Sequence, residues 1–331
     1  MINIEKLSYR VVNTIEDGTQ LDITGAVTDL SWEENDGEIA TKINVSLYNA
    51  EYKGKYLSEY CKPNTLIDIF ASWGETEYNV ATGTIIDWEC DEESDKDNFD
   101  ITCYDDAYQL QKSDDHIYIS KGISCKSAIQ KICKDWGIEL EYFGPETPLA
   151  QNAIKKKVSE AILELLKEAK QKGGGETIIR GGRHKISILR KGTNKTVWYL
   201  SSEDNIESVK SKVSTADMIT RVKIIGKESD KKQGVVEAIV DGMTQYGIRQ
   251  KIISRSSDEK LADAKKDAKT TIDEEGKPQK TIKVKCYDVP IMRKGDKVYI
   301  KTSKLDGYYY VVSITHDATS MKMNLEVEEV E

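Results

Sequence analysis

Three histidines and six cysteines are the residues of this chain best suited to acid–base, nucleophilic or metal chemistry. Their spacing decides which of these is available. His116, His184 and His316 lie far apart, and none has a His or Cys neighbour at metal-ligand spacing. Each reads as a surface or strand-end histidine: His116 follows an acidic stretch, His184 follows Arg183 in a Gly-rich hairpin, and His316 ends a strand. Cys61, Cys90, Cys103, Cys125, Cys133 and Cys286 contain no CxxC pair. So scattered a set argues for reduced thiols acting as small hydrophobes, not for a zinc ribbon or a disulfide framework. One of them has a further option. A Cys–His hydrolase needs a thiol at a helix start, and Cys125 is predicted at such a place, where a helix N-terminus would lower its pKa. Carboxylates are abundant, but an acidic hairpin brings them together by chance, so they give no glycosidase signal. Gly173-Gly174-Gly175 and Gly181-Gly182 fit neither GxxxxGK[ST] nor GxGxxG after a strand, and read as caps and turns. No catalytic, cofactor-binding or metal-binding residue is assigned, and no cofactor is expected.

The elements that would position such residues follow from periodicity. Ile39, Thr41, Ile43, Val45 and Leu47 alternate with polar neighbours, the period of a half-buried strand. Leu66 to Trp73 reads as a more central strand, Tyr78 to Trp88 continues the β character, and Phe99, Ile101 and Cys103 alternate again. The acidic run Cys90 to Asn98 reads as a hairpin tip. Near Asp114 the pattern changes. Ser124 can cap a helix to about Trp136, with Gly137 as its stop. A second helix is predicted over about Lys155 to Lys172, ended by Gly173-Gly174-Gly175. Short strands Thr177 to Arg180 and Lys185 to Arg190 follow, joined by Gly181-Gly182. After strands at Met218 to Ile225 and Val235 to Val240, a third helix is predicted from about Asp258 to Asp273. Four β runs close the chain, with turns at Gly295-Asp296 and Asp306-Gly307. They read as a closed or nearly closed small barrel.

The fold class expected is α+β and mainly β: a tube-type β-barrel at 1–114, a small inserted α+β module at 115–200, and a second β-barrel with one helix at 201–331. The 331 residues suffice for two or three domains. With 32% charged and 38% hydrophobic residues the chain reads as globular with a heavily charged surface. No apolar run approaches the roughly 20 residues that cross a bilayer, and Met1-Ile2-Asn3-Ile4-Glu5-Lys6 lacks the order of a signal peptide. Synthesis in the cytoplasm, without membrane insertion, is expected. The net charge of −9 conceals a division. Asp87 to Asp115 holds twelve acids and two lysines, a net of −10, while Lys277 to Lys304 holds nine bases and two acids, a net of +7. Either these are two solvated faces, or one meets the other within the chain or across a subunit boundary. Specific nucleic-acid binding is disfavoured, since the basic stretch carries no recognition motif. The 17 tyrosines include Tyr308-Tyr309-Tyr310 in one strand, which suits a subunit interface.

The order barrel, insert, barrel and several runs resemble a known family. They are STADMITRVKIIG from Ser214 to Gly226, the helix around Asp258 to Asp273, MRKGDKV from Met292 to Val298, and GYYYVVSITH from Gly307 to His316. FDITCYD from Phe99 to Asp105 and the Ser124 to Gly137 helix are similar too. Together they resemble the baseplate hub family of contractile phage tails, the XkdQ/YqbQ type related to phage late control protein D. The resemblance implies a structural virion component and no enzyme: a homotrimeric ring with two tube-type barrels per subunit. Such a ring would match the sixfold tail tube on one side and a threefold spike on the other. Tail tube protein, central spike and other baseplate proteins would be its partners, in a phage tail or an R-type bacteriocin. Two readings of other classes stand beside it, a peptidoglycan hydrolase using Cys125 and a surface carbohydrate-binding or adhesin module.

Overall fold

A computed structural model describes residues 6–91, 97–226, 234–255 and 260–330. Residues 1–5 of the N-terminal run read above, the tip of the acidic connection, and the start of the helix expected from Asp258 lie outside them. The chain forms two compact units, one built from residues 1–209 and 283–331, the other from 210–282. The boundaries expected at 114 and 200 both fall inside the first unit, and the helix expected in a second barrel belongs to the second unit.

Seven strands of the main sheet open the chain: β1 (Leu7–Thr14), β2 (Gln20–Asp22), β3 (Val27–Glu34), β4 (Lys42–Tyr48), β5 (Leu66–Trp73), β6 (Thr76–Asp91) and β7 (Asn98–Tyr104); Glu51–Tyr52 and Lys55–Tyr56 pair as a separate short ribbon. The expected alternation is realised: Ile43, Val45, Leu47, Phe99, Ile101 and Cys103 point inward and are buried, while their neighbours face out. Fully burying each large apolar side chain contributes roughly 1.5–3 kcal/mol, so this face fixes the register. One stretch departs from it. Ile39 precedes β4 and packs with the next segment's core.

That segment, the expected α+β module, contains β8 (Asp114–Ile119), α1 (Cys125–Asp135), β9 (Glu139–Tyr142), β10 (Asn152–Lys157), α2 (Val158–Ala169), β11 (Thr177–Gly182) and β12 (Lys185–Arg190). Ser124 caps α1 by accepting from the Ser127 amide at 3.1 Å. Its apolar stripe Ala128, Ile129, Ile132 and Cys133 packs with Ile162 and Leu165 of α2. The second helix is shorter than expected because Asn152 to Lys157 pairs antiparallel with β8. The β11–β12 turn also shifts: Arg183 and His184 form it, His184 at φ 58°, and Gly181 and Gly182 lie within β11.

The last part supplies β13 (Trp198–Ser201), β14 (Ile206–Ser214), β15 (Arg221–Ile225), β16 (Val236–Asp241), β17 (Gln250–Ser254), α3 (Leu261–Glu275), β18 (Gln279–Tyr287), β19 (Lys297–Lys301), β20 (Asp306–Asp317) and β21 (Lys322–Glu329). In the second unit β15 lies between β16 and β17, and Val222 and Ile224 pack on Ala264 and Ala268 of α3. The other strands do not stand apart from the N-terminal set. One 13-stranded sheet runs β14-β18-β21-β20-β3-β4-β7-β6-β5-β1-β2, with β19 and β13 branching from β20. β20 makes this possible. Residues 306–310 pair with β19, and Ile314 to Asp317 pair with Glu34 to Ser31 of β3. On the opposite edge β21 pairs with β20 from Tyr309 to Asp317. The architecture is therefore mainly β, with helices confined to small parts. Among the described residues no helix is long and apolar enough to cross a membrane.

Candidate functional site

The β20–β3 junction joins residues 280 to 286 positions apart through only four residue pairs. Two buried polar clusters flank it, each built from several segments that meet there. The first forms on the turn Met292 to Lys297. Gly295 sits at φ 87°, and a Cβ there would stand 2.7 Å from Ile178 Cγ2, so glycine is required by both backbone and neighbour. Asp296 closes the turn by accepting from the Arg293 amide at 2.9 Å. Fixed in this way, the turn presents its cations to β3. Arg293 donates to Glu34 Oε1 from Nε at 2.7 Å and again from its terminal guanidinium nitrogen. The Lys294 amide donates to Glu34 Oε2 at 2.8 Å, and Lys294 Nζ donates to the carbonyls of Asn35, at 2.8 Å, and Glu38. From β11, Arg180 donates to the Lys294 carbonyl and to Asp296 Oδ1, each at 2.7 Å. Arg293 also reaches the Gly181 carbonyl at 3.2 Å.

Burial by itself would push the Glu34 carboxyl up. The charge and hydrogen bonds of Arg293, with Arg180 and Lys294 nearby, overcome that and hold it down at about 2. Lys294 is held below its usual range because burial outweighs Glu34. Next to this cluster Asp105 is pushed up to about 7 by burial, although it accepts from the Thr41 and Ala107 amides at 2.9 and 3.0 Å and lies near Arg293. A Cβ on Gly181 would collide with the Asp105 carboxylate. This close approach, and not a turn, explains the glycine. A groove of about 360 Å³ opens beside the cluster, lined by Thr41, Asp68, Asn79, Asp105, Arg183 and Arg293 among others.

The second cluster surrounds His316. The ring is buried, stacked on Trp32 at 4.5 Å and 13°. Nδ1 lies 2.6 Å from Asp288 Oδ1, and Nε2 lies 3.1 Å from the Met292 carbonyl. Tyr9 donates its hydroxyl to Asp288 Oδ2. Burial and the Asp288 charge both push the Tyr9 phenol well above its ordinary value. Tyr, Asp and His in sequence resemble a proton relay, but the outer nitrogen that a general base would offer faces a backbone carbonyl. The cluster fastens β1, β3, β20 and the turn to one another.

The residues singled out for chemistry lie apart. His184 is exposed on its turn, 2.8 Å from Asp106, and His116 is exposed on β8. His316 lies at the end of β20 as read, but it is interior there. Cys125 does start α1 as expected, but it is buried against Leu165, whose carbonyl its thiol approaches at 3.7 Å, and burial pushes the thiol up. The helix N-terminus does not leave it an accessible thiolate. Among the described residues no group of His, Cys, Asp or Glu is arranged to hold a metal ion. Glu34, Arg180, Arg293 and Asp288 were not singled out. Their only sequence signal is Arg293-Lys294 before a Gly-Asp turn, which says nothing of a partner 259 residues away.

The chain is 21% identical over 243 residues to the uncharacterized protein YqbQ of Bacillus subtilis (strain 168), covering 70% of this chain and 72% of that protein. Its fold is similar to the 43 kDa tail protein of prophage MuSo2 from Shewanella oneidensis, with a TM-score of 0.65 at 15% identity, covering 97% of this chain and 98% of that one. It is also similar to a tail protein from Neisseria meningitidis MC58, with a TM-score of 0.67 at 14% identity and 97% of both chains covered. The model of the YQBQ-like family matches residues 30–328, which includes Glu34, the Arg293 turn and His316. This chain therefore belongs to the YQBQ-like family, the type that its sequence resembles.

Proposed function

We propose that this chain is a structural subunit of a baseplate hub in a contractile phage-type tail or R-type bacteriocin. Three copies form a ring that adapts a sixfold tail tube to a threefold spike. The tail tube protein, the spike and other baseplate proteins are its partners, and the finished particle is its destination. The observation that carries the reading is the junction itself. One sheet joins strands from the first and last parts of the chain and is fastened by buried ionic and aromatic side chains, and the Cys125 thiol weighed for hydrolysis is buried. That construction suits transmission of load more than turnover. The likeness in fold to tail proteins supports it. Within this reading, 1–114 and 201–331 carry the two tube-type barrels and 115–200 the module between them.

The charge division also bears on the ring. Among the described residues, the cations of the basic stretch pair with Glu34, Glu207, Glu326 and Asp306. Within the chain the two stretches already touch at Arg293 and Asp105. The exposed acids Glu89 and Asp100, which no ion pair engages among the described residues, are read as facing another copy. Solution mass of the full chain, measured against protein and salt concentration, tests the reading. A trimer that dissociates as salt rises is the expected result. A chain that stays monomeric at every concentration, alone and with its tail tube partner, overturns it.

A further inference from the structure

Tyr199, Tyr299 and Tyr308 are direct cross-strand neighbours on β13, β19 and β20. The first two rings stack 5.7 Å apart at 12°, and the second and third meet edge-on at 5.0 Å. The alternate residues of the same strands, Leu200, Val298, Ile300 and Tyr309, are buried, so this row is the outward face. Tyr199 is 55% exposed and Tyr308 52%, a large aromatic area to leave in water. Lys297 and Lys304 flank it: Lys297 Nζ lies 5.6 Å from the Tyr308 ring and Lys304 is exposed on the next turn, while Asp306 accepts from the Tyr299 hydroxyl and is balanced by Lys301.

A second row has the opposite sign. On the outer face of β3, β4, β7 and β6 the register aligns Asp29, Ser46, Asp100 and Glu89. Asp100 and Glu89 are directly opposed, and like charges so placed weaken a sheet. All three carboxylates are exposed, and no cation pairs with them among the described residues. Tyr48, 53% exposed, borders the row. Each face thus lacks what the other has.

We infer that the tyrosine row of one copy docks on the acidic row of the next copy. The inference rests on the ring reading above and names the two faces that would close it. Because the faces differ, the contact is heterologous, the kind that forms a ring when its rotation closes. Tyrosine supplies buried area with a polar tip, and the lysines meet Asp29, Asp100 and Glu89.

The test uses charge reversal in the full chain, read by sedimentation at several protein concentrations. Glu89→Lys with Asp100→Lys, or Lys297→Glu with Lys304→Glu, is expected to raise the half-assembly concentration by about tenfold or more. All four substitutions together restore complementary faces and are expected to restore assembly. Thermal unfolding of each variant checks that it folds, and the fourfold variant guards against a loss that is merely structural. Wild-type oligomers with a midpoint that neither pair shifts overturn this inference and leave the ring reading intact. So does an assembled particle in which Asp100 lines the channel. A wild-type chain that never assembles overturns both.

Discussion

Replacing Glu34 by glutamine removes the carboxylate on which Arg293, the Lys294 amide and the field of Arg180 converge. The cost can be worked from the site. In the folded chain the carboxyl titrates at about 2, against an ordinary 4.5. At 1.36 kcal/mol per unit, that difference corresponds to about 3 kcal/mol of stability at neutral pH. The sign follows from the direction. A lowered carboxyl contributes fully above its unfolded value near 4.5, and the contribution drains away as pH falls toward 2. Glu34→Gln is therefore expected to be about 3 kcal/mol less stable than wild type at pH 7, and nearly equal to it close to pH 2. Urea unfolding followed by tryptophan fluorescence reads this out well. All five tryptophans (Trp32, Trp73, Trp88, Trp136 and Trp198) lie in the unit that contains the cluster. A wild-type-to-variant difference that stays constant from pH 2.5 to 7, or that is below about 1 kcal/mol at pH 7, refutes the assignment of Glu34 as the anchor of the turn.

Asp105 acts in the opposite sense. Its carboxyl is raised to about 7 from 3.8, so its contribution is fully present below 3.8 and is lost as pH rises through 7, by about 4 kcal/mol in all. The urea midpoint is expected to fall between pH 5 and pH 8, and a wild-type chain with no such decline counts against the burial argument. Gly181→Ala places a methyl against the Asp105 carboxylate and is expected to cost about 1–3 kcal/mol, read as a lowered melting temperature. Cys125 in the native chain is expected to resist alkylation and to react only after unfolding, as followed by peptide mass mapping. Fast labelling of the folded protein at Cys125 would reopen the hydrolase reading.

What the sequence revealed was local in origin. The alternation at Ile43, Val45 and Leu47 and the Ser124-capped helix need only neighbours along the chain, and both took shape as read. The errors occurred where a distant segment decides. Gly181-Gly182 looks like a hairpin turn, but Gly181 is glycine because Asp105 approaches it from another element. Lys155 to Lys157 has a helical pattern, yet β8 recruits it as a strand. His316 ends an alternating run, and only Trp32 and Asp288 make it an interior residue. Continuity of the sheet from β3 to β20 depends on a pairing across 280 to 286 positions that no periodicity signals.

That pairing also explains why both polar clusters gather where they do. Four residue pairs between β3 and β20 are a short overlap, and a slip of one residue would turn His316 outward and Thr315 inward. Apolar packing penalises such a slip only in part, because a sliding strand can offer another apolar side chain to the same core. The polar groups cannot slide in this way. Glu34 ends β3 and is fixed to the turn by Arg293 and the Lys294 amide. His316 lies two residues from Glu34's partner Ile314 and is fixed to Asp288 and the Met292 carbonyl. Any shift of β20 along β3 must break charge-assisted bonds while leaving their partners buried, a penalty of several kcal/mol for each charge. The clusters therefore act as register pins. In the hub role proposed above, where load would pass through this sheet, a register that cannot creep is the property the fold has to secure.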